Sequence, residues 1–142
     1  MERRQGFRAL VVEDDYGILR LVKTVLEKEG FIVEGVRDGS EALKLLETVA
    51  YDLLILDLML PQVGGEAVLD YLDANQPKYL RRVIITTASP RKMSKNFLER
   101  ICRILAKPFD IHQLVVIARE CASGEDCEPV ATTVTLNARE QS

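Results

Sequence analysis

Tryptophan is absent from the 142-residue chain, histidine occurs once, cysteine three times and proline five times. With His112 as the single histidine, a histidine-rich metal centre is excluded, and its place near the start of an apolar-striped segment reads as a surface or partly packed residue. Cys102, Cys121 and Cys127 are odd in number and contain no C-x-x-C pair. The expectation is therefore neither a disulfide framework nor a zinc knuckle, in a reduced, cytoplasmic setting. No apolar run approaches the roughly 20 residues of a membrane helix, and residues 1–5 lack a signal-peptide core, so no membrane partner is expected. Glycine-rich phosphate cradles of the G-x-x-x-x-G-K-[ST] and G-x-G-x-x-G kinds are also missing, and Gly64-Gly65 reads as a turn.

What is present suits one domain of ordinary size: 47% apolar and 29% charged residues at a net charge of −3 can bury a proper core. The charge is uneven. Residues 78–107 carry nine basic side chains (Lys78, Arg81, Arg82, Arg91, Lys92, Lys95, Arg100, Arg103 and Lys107) against one acid, Glu99, whereas residues 1–77 hold 8 basic and 15 acidic groups. Such a stretch is in the first place a solvated face and in the second a docking surface for an acidic partner. Without interleaved aromatics or a helix-turn-helix pattern, and in an acidic chain, nucleic acid is not an expected partner.

Short apolar runs alternate with segments of helical spacing. Ala9-Leu10-Val11-Val12, Phe31-Ile32-Val33, Leu53-Leu54-Ile55-Leu56, Val83-Ile84-Ile85 and Ile104-Leu105-Ala106 read as buried parallel strands. Helical stripes lie between them: Ile18, Val22, Val25 and Leu26; Ala42, Leu45, Leu46 and Val49; Val68, Tyr71 and Leu72; Met93, Phe97 and Ile101; Ile111, Leu114, Val115 and Ala118. Asp38 with Glu41, and Asp110 with Gln113, look like capping boxes, Ser89 caps ahead of Pro90, and Gly30 stands where the first helix should stop. Five βα units predict a doubly wound α/β domain with helices on both faces of a parallel sheet, over residues 7–121. The polar, aperiodic residues 122–142 read as a disordered tail.

Ligands of such sheets bind at the carboxyl ends of the strands. Glu13, Asp14 and Asp15 follow the first strand, Asp57 the third, Thr86 and Thr87 the fourth, and Lys107 the fifth. Crowded carboxylates need a cation, and hard oxygen donors in a small cluster suit Mg²⁺. A lysine at the rim can hold phosphoryl charge, and a threonine hydroxyl can donate to a phosphoryl oxygen. The constellation points to phosphoryl transfer onto an aspartate.

Val12-Glu13-Asp14-Asp15, Leu56-Asp57-Leu58-Met59-Leu60-Pro61 with Gly65, Thr87-Ala88, and Lys107-Pro108-Phe109, in this order, resemble the receiver domain of two-component response regulators. The resemblance implies the flavodoxin-like (βα)5 fold with strand order 2-1-3-4-5. It implies Asp57 as phosphoacceptor, Lys107 and Thr87 as its catalytic and switching companions, and Glu13, Asp14, Asp57 and the Met59 carbonyl around Mg²⁺. Thr86 is expected to be structural, Asp15 has no metal role, and the Lys107–Pro108 bond resembles one that is cis in the family. The implied partners are a sensor histidine kinase or histidine phosphotransfer protein. A downstream protein would bind the surface of the fourth helix, fifth strand and fifth helix, which could also serve a homodimer.

Ile104 stands where the family often has an aromatic. The segment from Thr87 to Lys107 is short, so the fourth helix should be shortened or displaced. Met59 falls where the family tunes phosphoryl lifetime, which implies slow autodephosphorylation. The expected activity is self-phosphorylation from a donor, not enzymatic turnover, by a stand-alone receiver. The alternatives are a phosphorylation-independent scaffold of the same fold, or the receiver portion of a longer regulator. A phosphatase of the haloacid dehalogenase kind would need an acid at Met59.

Overall fold

The computed structural model describes residues 6–124. Five strands, β1 (Arg8–Val12), β2 (Ile32–Val36), β3 (Leu53–Asp57), β4 (Val83–Thr87) and β5 (Arg103–Ala106), form one sheet in the order β2-β1-β3-β4-β5, every pair parallel. The helices are α1 (Tyr16–Lys28), α2 (Gly39–Thr48), α3 (Gly65–Asn75), α4 (Lys95–Leu98) and α5 (Ile111–Ser123), with 3₁₀ turns at Pro77–Arg82 and Pro90–Lys92. The expected fold class and strand order are those observed.

Period-two alternation builds two cores. Leu10, Val12, Leu54, Leu56, Val83 and Ile85 meet Ala42, Leu46, Val68, Leu69 and Leu72 of α2 and α3 on one face. Ala9, Val11, Leu53, Ile55 and Ile84 meet Leu19, Val22 and Leu26 of α1 and Leu114, Ile117 and Ala118 of α5 on the other. Full burial of such a side chain contributes about 1.5–3 kcal/mol, so both helical layers are held by the same strands.

The local stop and start signals mostly work as read. Asp38 accepts the Glu41 amide at the start of α2, and Gly30 takes a positive φ of 97° just past α1. Ser89 makes no side-chain cap bond ahead of Pro90, and α1 is capped by Asp15, not singled out as a cap in the sequence, through the Ile18 amide. Asp110 caps α5 through the His112 amide rather than that of Gln113. The fourth helix is indeed short, a single turn, yet Met93, Phe97 and Ile101 are all buried. Their stripe is thus completed by turns on either side of the helix.

Two expectations are corrected. Cys102 and Cys121 form a disulfide with Cα atoms 6.2 Å apart. Counting cysteines missed it because α5 folds back beside β5, bringing together residues 19 positions apart; Cys127 lies outside the described residues. α5 itself runs past residue 121 through Ser123, with Ala122 buried, and Gly124 follows in the left-handed region. The rest of the expected tail is outside the described residues. Finally, β2 runs to Val36, past the polar Glu34 and Gly35 that cut the apolar run short.

Candidate functional site

The carboxyl end of the sheet carries a buried ionic cluster. Glu13 follows β1, held there as its amide donates to the Val36 carbonyl. Asp57 ends β3, in register with Thr86 of the neighbouring strand. Both acids are only 4% exposed. Lys107 leaves β5 with its amide bonded to the Thr87 carbonyl, and the Lys107–Pro108 bond is cis. Its Nζ lies 2.9 Å from Oε1 and 3.1 Å from Oε2 of Glu13, and 3.2 Å from Oδ2 of Asp57. Asp57 Oδ1 accepts the Met59 amide at 3.0 Å.

Burial pushes the Glu13 carboxyl above the usual carboxylate range, and the Asp57 charge adds to this, against the lowering by Lys107 and the Asp15 amide. Burial alone would depress the Lys107 ammonium. The Glu13 hydrogen bond and the Asp57 charge outweigh it and raise the lysine above its ordinary value. The lysine therefore stays charged between two acids, and the trio carries a net negative charge when all are ionised. Replacing such a cluster by apolar groups would commonly be neutral or stabilising, so stability alone does not account for it.

The β3–α3 turn is fixed by close packing. A Cβ on Gly65 would lie 2.6 Å from the Asp57 carbonyl oxygen and 2.7 Å from Leu58 Cα, so only glycine lets α3 start against the Asp57 main chain.

The other residues singled out in the sequence fall into place around the trio. Thr87 is fully buried, and its Oγ1 accepts the Ser89 amide at 3.0 Å, tying it to the following turn. Thr86 is likewise buried in β4. Asp15 caps α1 and its amide donates to Glu13 Oε2 at 3.0 Å, which orients that carboxylate. Asp14 is exposed and, with Met59, lines an open cavity of about 550 Å³ whose walls include Leu58, Leu60, Pro61, Glu66 and Lys92. Met59 is 54% exposed. Ile104 is buried in the same core cluster as Phe97 of α4, and His112 lies exposed at the start of α5.

Sequence reasoning missed Arg37, whose Nε donates to the Asp14 carbonyl at 3.3 Å. It also missed the Tyr16 ring, which sits 5.7 Å from the Arg37 guanidinium and 5.8 Å from that of Arg20. Arg37 directly follows β2, and an inventory of residues after that strand, correctly bounded, would have found it.

Glu13, Asp14 and Asp57 offer hard carboxylate oxygens beside the Met59 main chain, the donor chemistry that suits Mg²⁺. Among the described residues no three such side chains are gathered into a metal-like group.

An open parallel sheet with an acid–lysine–acid cluster at its carboxyl end defines an α/β domain whose chemistry lies at the strand ends. The model of the response regulator receiver domain matches residues 9–119, and the chain belongs to that family. It is 35% identical over 119 residues to the transcriptional regulatory protein CpxR of Escherichia coli, covering 79% of this chain and 47% of CpxR. The chain spans half or less of the length of the curated relatives it matches. The receiver domain of the Francisella response regulator 1452 superposes with a TM-score of 0.71 at 30% identity, covering 84% of this chain and 98% of that one. Response regulator TrrA of Thermotoga maritima, solved in complex with Mg²⁺ and BeF, gives 0.72 at 28% identity, with 81% and 98% covered. Among the described residues, no helix is long and apolar enough to cross a membrane.

Proposed function

We propose that the domain accepts a phosphoryl group on Asp57. The carrying observation is the Lys107 ammonium held between the buried carboxylates of Glu13 and Asp57. An Asp57 carboxylate oxygen attacks the phosphorus of a phosphohistidine on a sensor kinase or phosphotransfer protein. The P–O bond forms as the P–N bond breaks, and its electron pair returns to the imidazole, which takes up a proton. Lys107, released from part of its contact with Asp57, neutralises phosphoryl charge, and the Met59 amide holds the other Asp57 oxygen. Glu13, Asp14, Asp57 and the Met59 carbonyl would hold Mg²⁺, which supplies charge neutralisation to the transferring group. The Thr87 hydroxyl, bonded to the Ser89 amide, is the group that would exchange that bond for a phosphoryl oxygen and so carry the event to the Pro90–Lys92 turn and α4.

The protein acts on itself rather than turning over a substrate. Its output is a changed surface of α4, β5 and α5, recognised by a protein target or a second copy in the cytoplasm. An output domain encoded in the same reading frame would replace the stand-alone version of this proposal. Intact mass after incubation with acetyl phosphate and Mg²⁺ tests the chemistry. One phosphoryl increment is expected, absent with EDTA and absent in Asp57→Ala; an increment that survives in Asp57→Ala overturns the assignment.

A second reading, a phosphorylation-independent scaffold, is favoured by Ile104 and the four-residue α4. Partner capture unaffected by Asp57→Ala would support it over the first.

A further inference from the structure

We propose that Arg37 is a positioning residue for the Asp14 loop, and that its bond to the Asp14 main chain sets the affinity of the site for Mg²⁺. The inference rests on the reading that Asp14 faces the cation. Two contacts tie the loop after β1 to the end of β2. The Glu13 amide donates to the Val36 carbonyl at 3.0 Å, and the next residue, Arg37, donates from Nε to the Asp14 carbonyl at 3.3 Å. Asp15 is anchored independently as the cap of α1. Asp14 is the exposed residue between these anchors, and without Arg37 its peptide would face water with no side-chain donor to orient it.

The guanidinium is itself restrained. It lies over the Tyr16 ring, with Arg20 over the same ring. A guanidinium over an aromatic face gains electrostatic attraction and loses rotamer freedom, which makes it a better anchor than a lysine in solvent. Groups that orient a metal ligand from behind commonly change metal affinity by 10–100-fold; an exposed bond of 3.3 Å belongs at the low end.

Arg37 has two effects on a nearby cation, and they have opposite signs. As a positive charge it repels the ion; as an anchor it holds the ligand loop. The substitution Arg37→Ala separates them. If anchoring dominates, affinity falls by about tenfold; if charge dominates, affinity rises. Arg20→Ala removes the same charge from the same ring, while the bond to Asp14 is made by Arg37, so it is the matched control.

The experiment is isothermal titration of Mg²⁺ into the full chain and into Arg37→Ala, Arg37→Lys and Arg20→Ala, with thermal midpoints measured in parallel. The expected result is weakened binding in Arg37→Ala, an intermediate value in Arg37→Lys, and wild-type or slightly tighter binding in Arg20→Ala, with all midpoints close to wild type. Equal or tighter binding in Arg37→Ala overturns the positioning role while leaving the cation site standing. Absence of Mg²⁺ binding in the wild-type chain overturns the cation site and, with it, this inference.

Discussion

Replacing Lys107 with methionine keeps most of the side-chain volume and removes the positive charge that bridges both buried acids. In the folded chain the ammonium is 2.9 Å from Glu13 and 3.2 Å from Asp57. A single pair at 4 Å is worth about 4 kcal/mol at an effective dielectric near 20 before desolvation is counted. Removing one member of a buried pair costs about 3–5 kcal/mol. The lysine side chain retains 19% exposure, so the lower figure applies, about 3 kcal/mol at pH 8, or roughly 10 °C in Tm for a domain of this size.

The sign of the pH dependence follows from the proton balance. Glu13 already titrates above its ordinary value of 4.5, first because it is buried, and losing Lys107 removes an influence that lowers it. An acid with a raised folded pKa binds more protons in the folded than in the unfolded chain, so stability falls as pH rises from 4.5 through the folded value. The lysine's own contribution is full below 10.5 and is lost only as pH rises through its raised folded value. The deficit of the Lys107→Met variant is therefore larger at pH 8 than near pH 4.5, where protonation of Glu13 relieves the unpaired charge, and added Mg²⁺ reduces it at pH 8. Urea unfolding followed by circular dichroism at the two pH values measures it. A deficit below about 1 kcal/mol at pH 8, or a larger deficit at acid pH, would refute the reasoning, since single exposed pairs already reach that figure.

Gly65→Ala places a methyl 2.6 Å from the Asp57 carbonyl oxygen and should cost about 1–3 kcal/mol as overpacking against main chain, measured by the same unfolding curves; a neutral result would mean the turn yields freely. The Cys102–Cys121 disulfide closes 19 residues and should contribute about 3 kcal/mol on the chain-entropy account. Reductant is expected to lower Tm, and alkylation in denaturant without reductant should leave both cysteines unmodified; two alkylated cysteines at these positions would contradict the bond. Met59, apolar and exposed at the cavity mouth, should slow attack by water on phosphorylated Asp57. A dephosphorylation half-life of seconds, read by intact mass over time, would count against that role.

Strand ends were the most legible part of the sequence because short apolar runs stop where the chemistry starts. Asp57 and Lys107 each directly follow an uninterrupted apolar run, and both reach one cluster at the carboxyl ends of β3 and β5. Arg37 was hidden because Glu34 and Gly35 interrupt the pattern of β2, an edge strand whose outer positions need not be apolar. The disulfide was hidden for a different reason: periodicity shows that α5 is amphipathic but not that its last turns face Cys102, just ahead of β5. The short α4 was visible as a length deficit between Thr87 and Lys107. Its hydrophobic stripe, however, suggested a longer helix than the single turn that forms, since turns can bury Met93 and Ile101 as well as a helix can.

The most direct test of the central claim is to locate the modified residue. After incubation with acetyl phosphate and Mg²⁺, borohydride reduces an aspartyl phosphate to homoserine, and peptide mass mapping then reads the position of the change. Conversion at residue 57 alone, lost when EDTA is present, is the predicted result. Conversion at Asp14 or Asp15, or none at residue 57 in a folded, Mg²⁺-loaded chain, would contradict it.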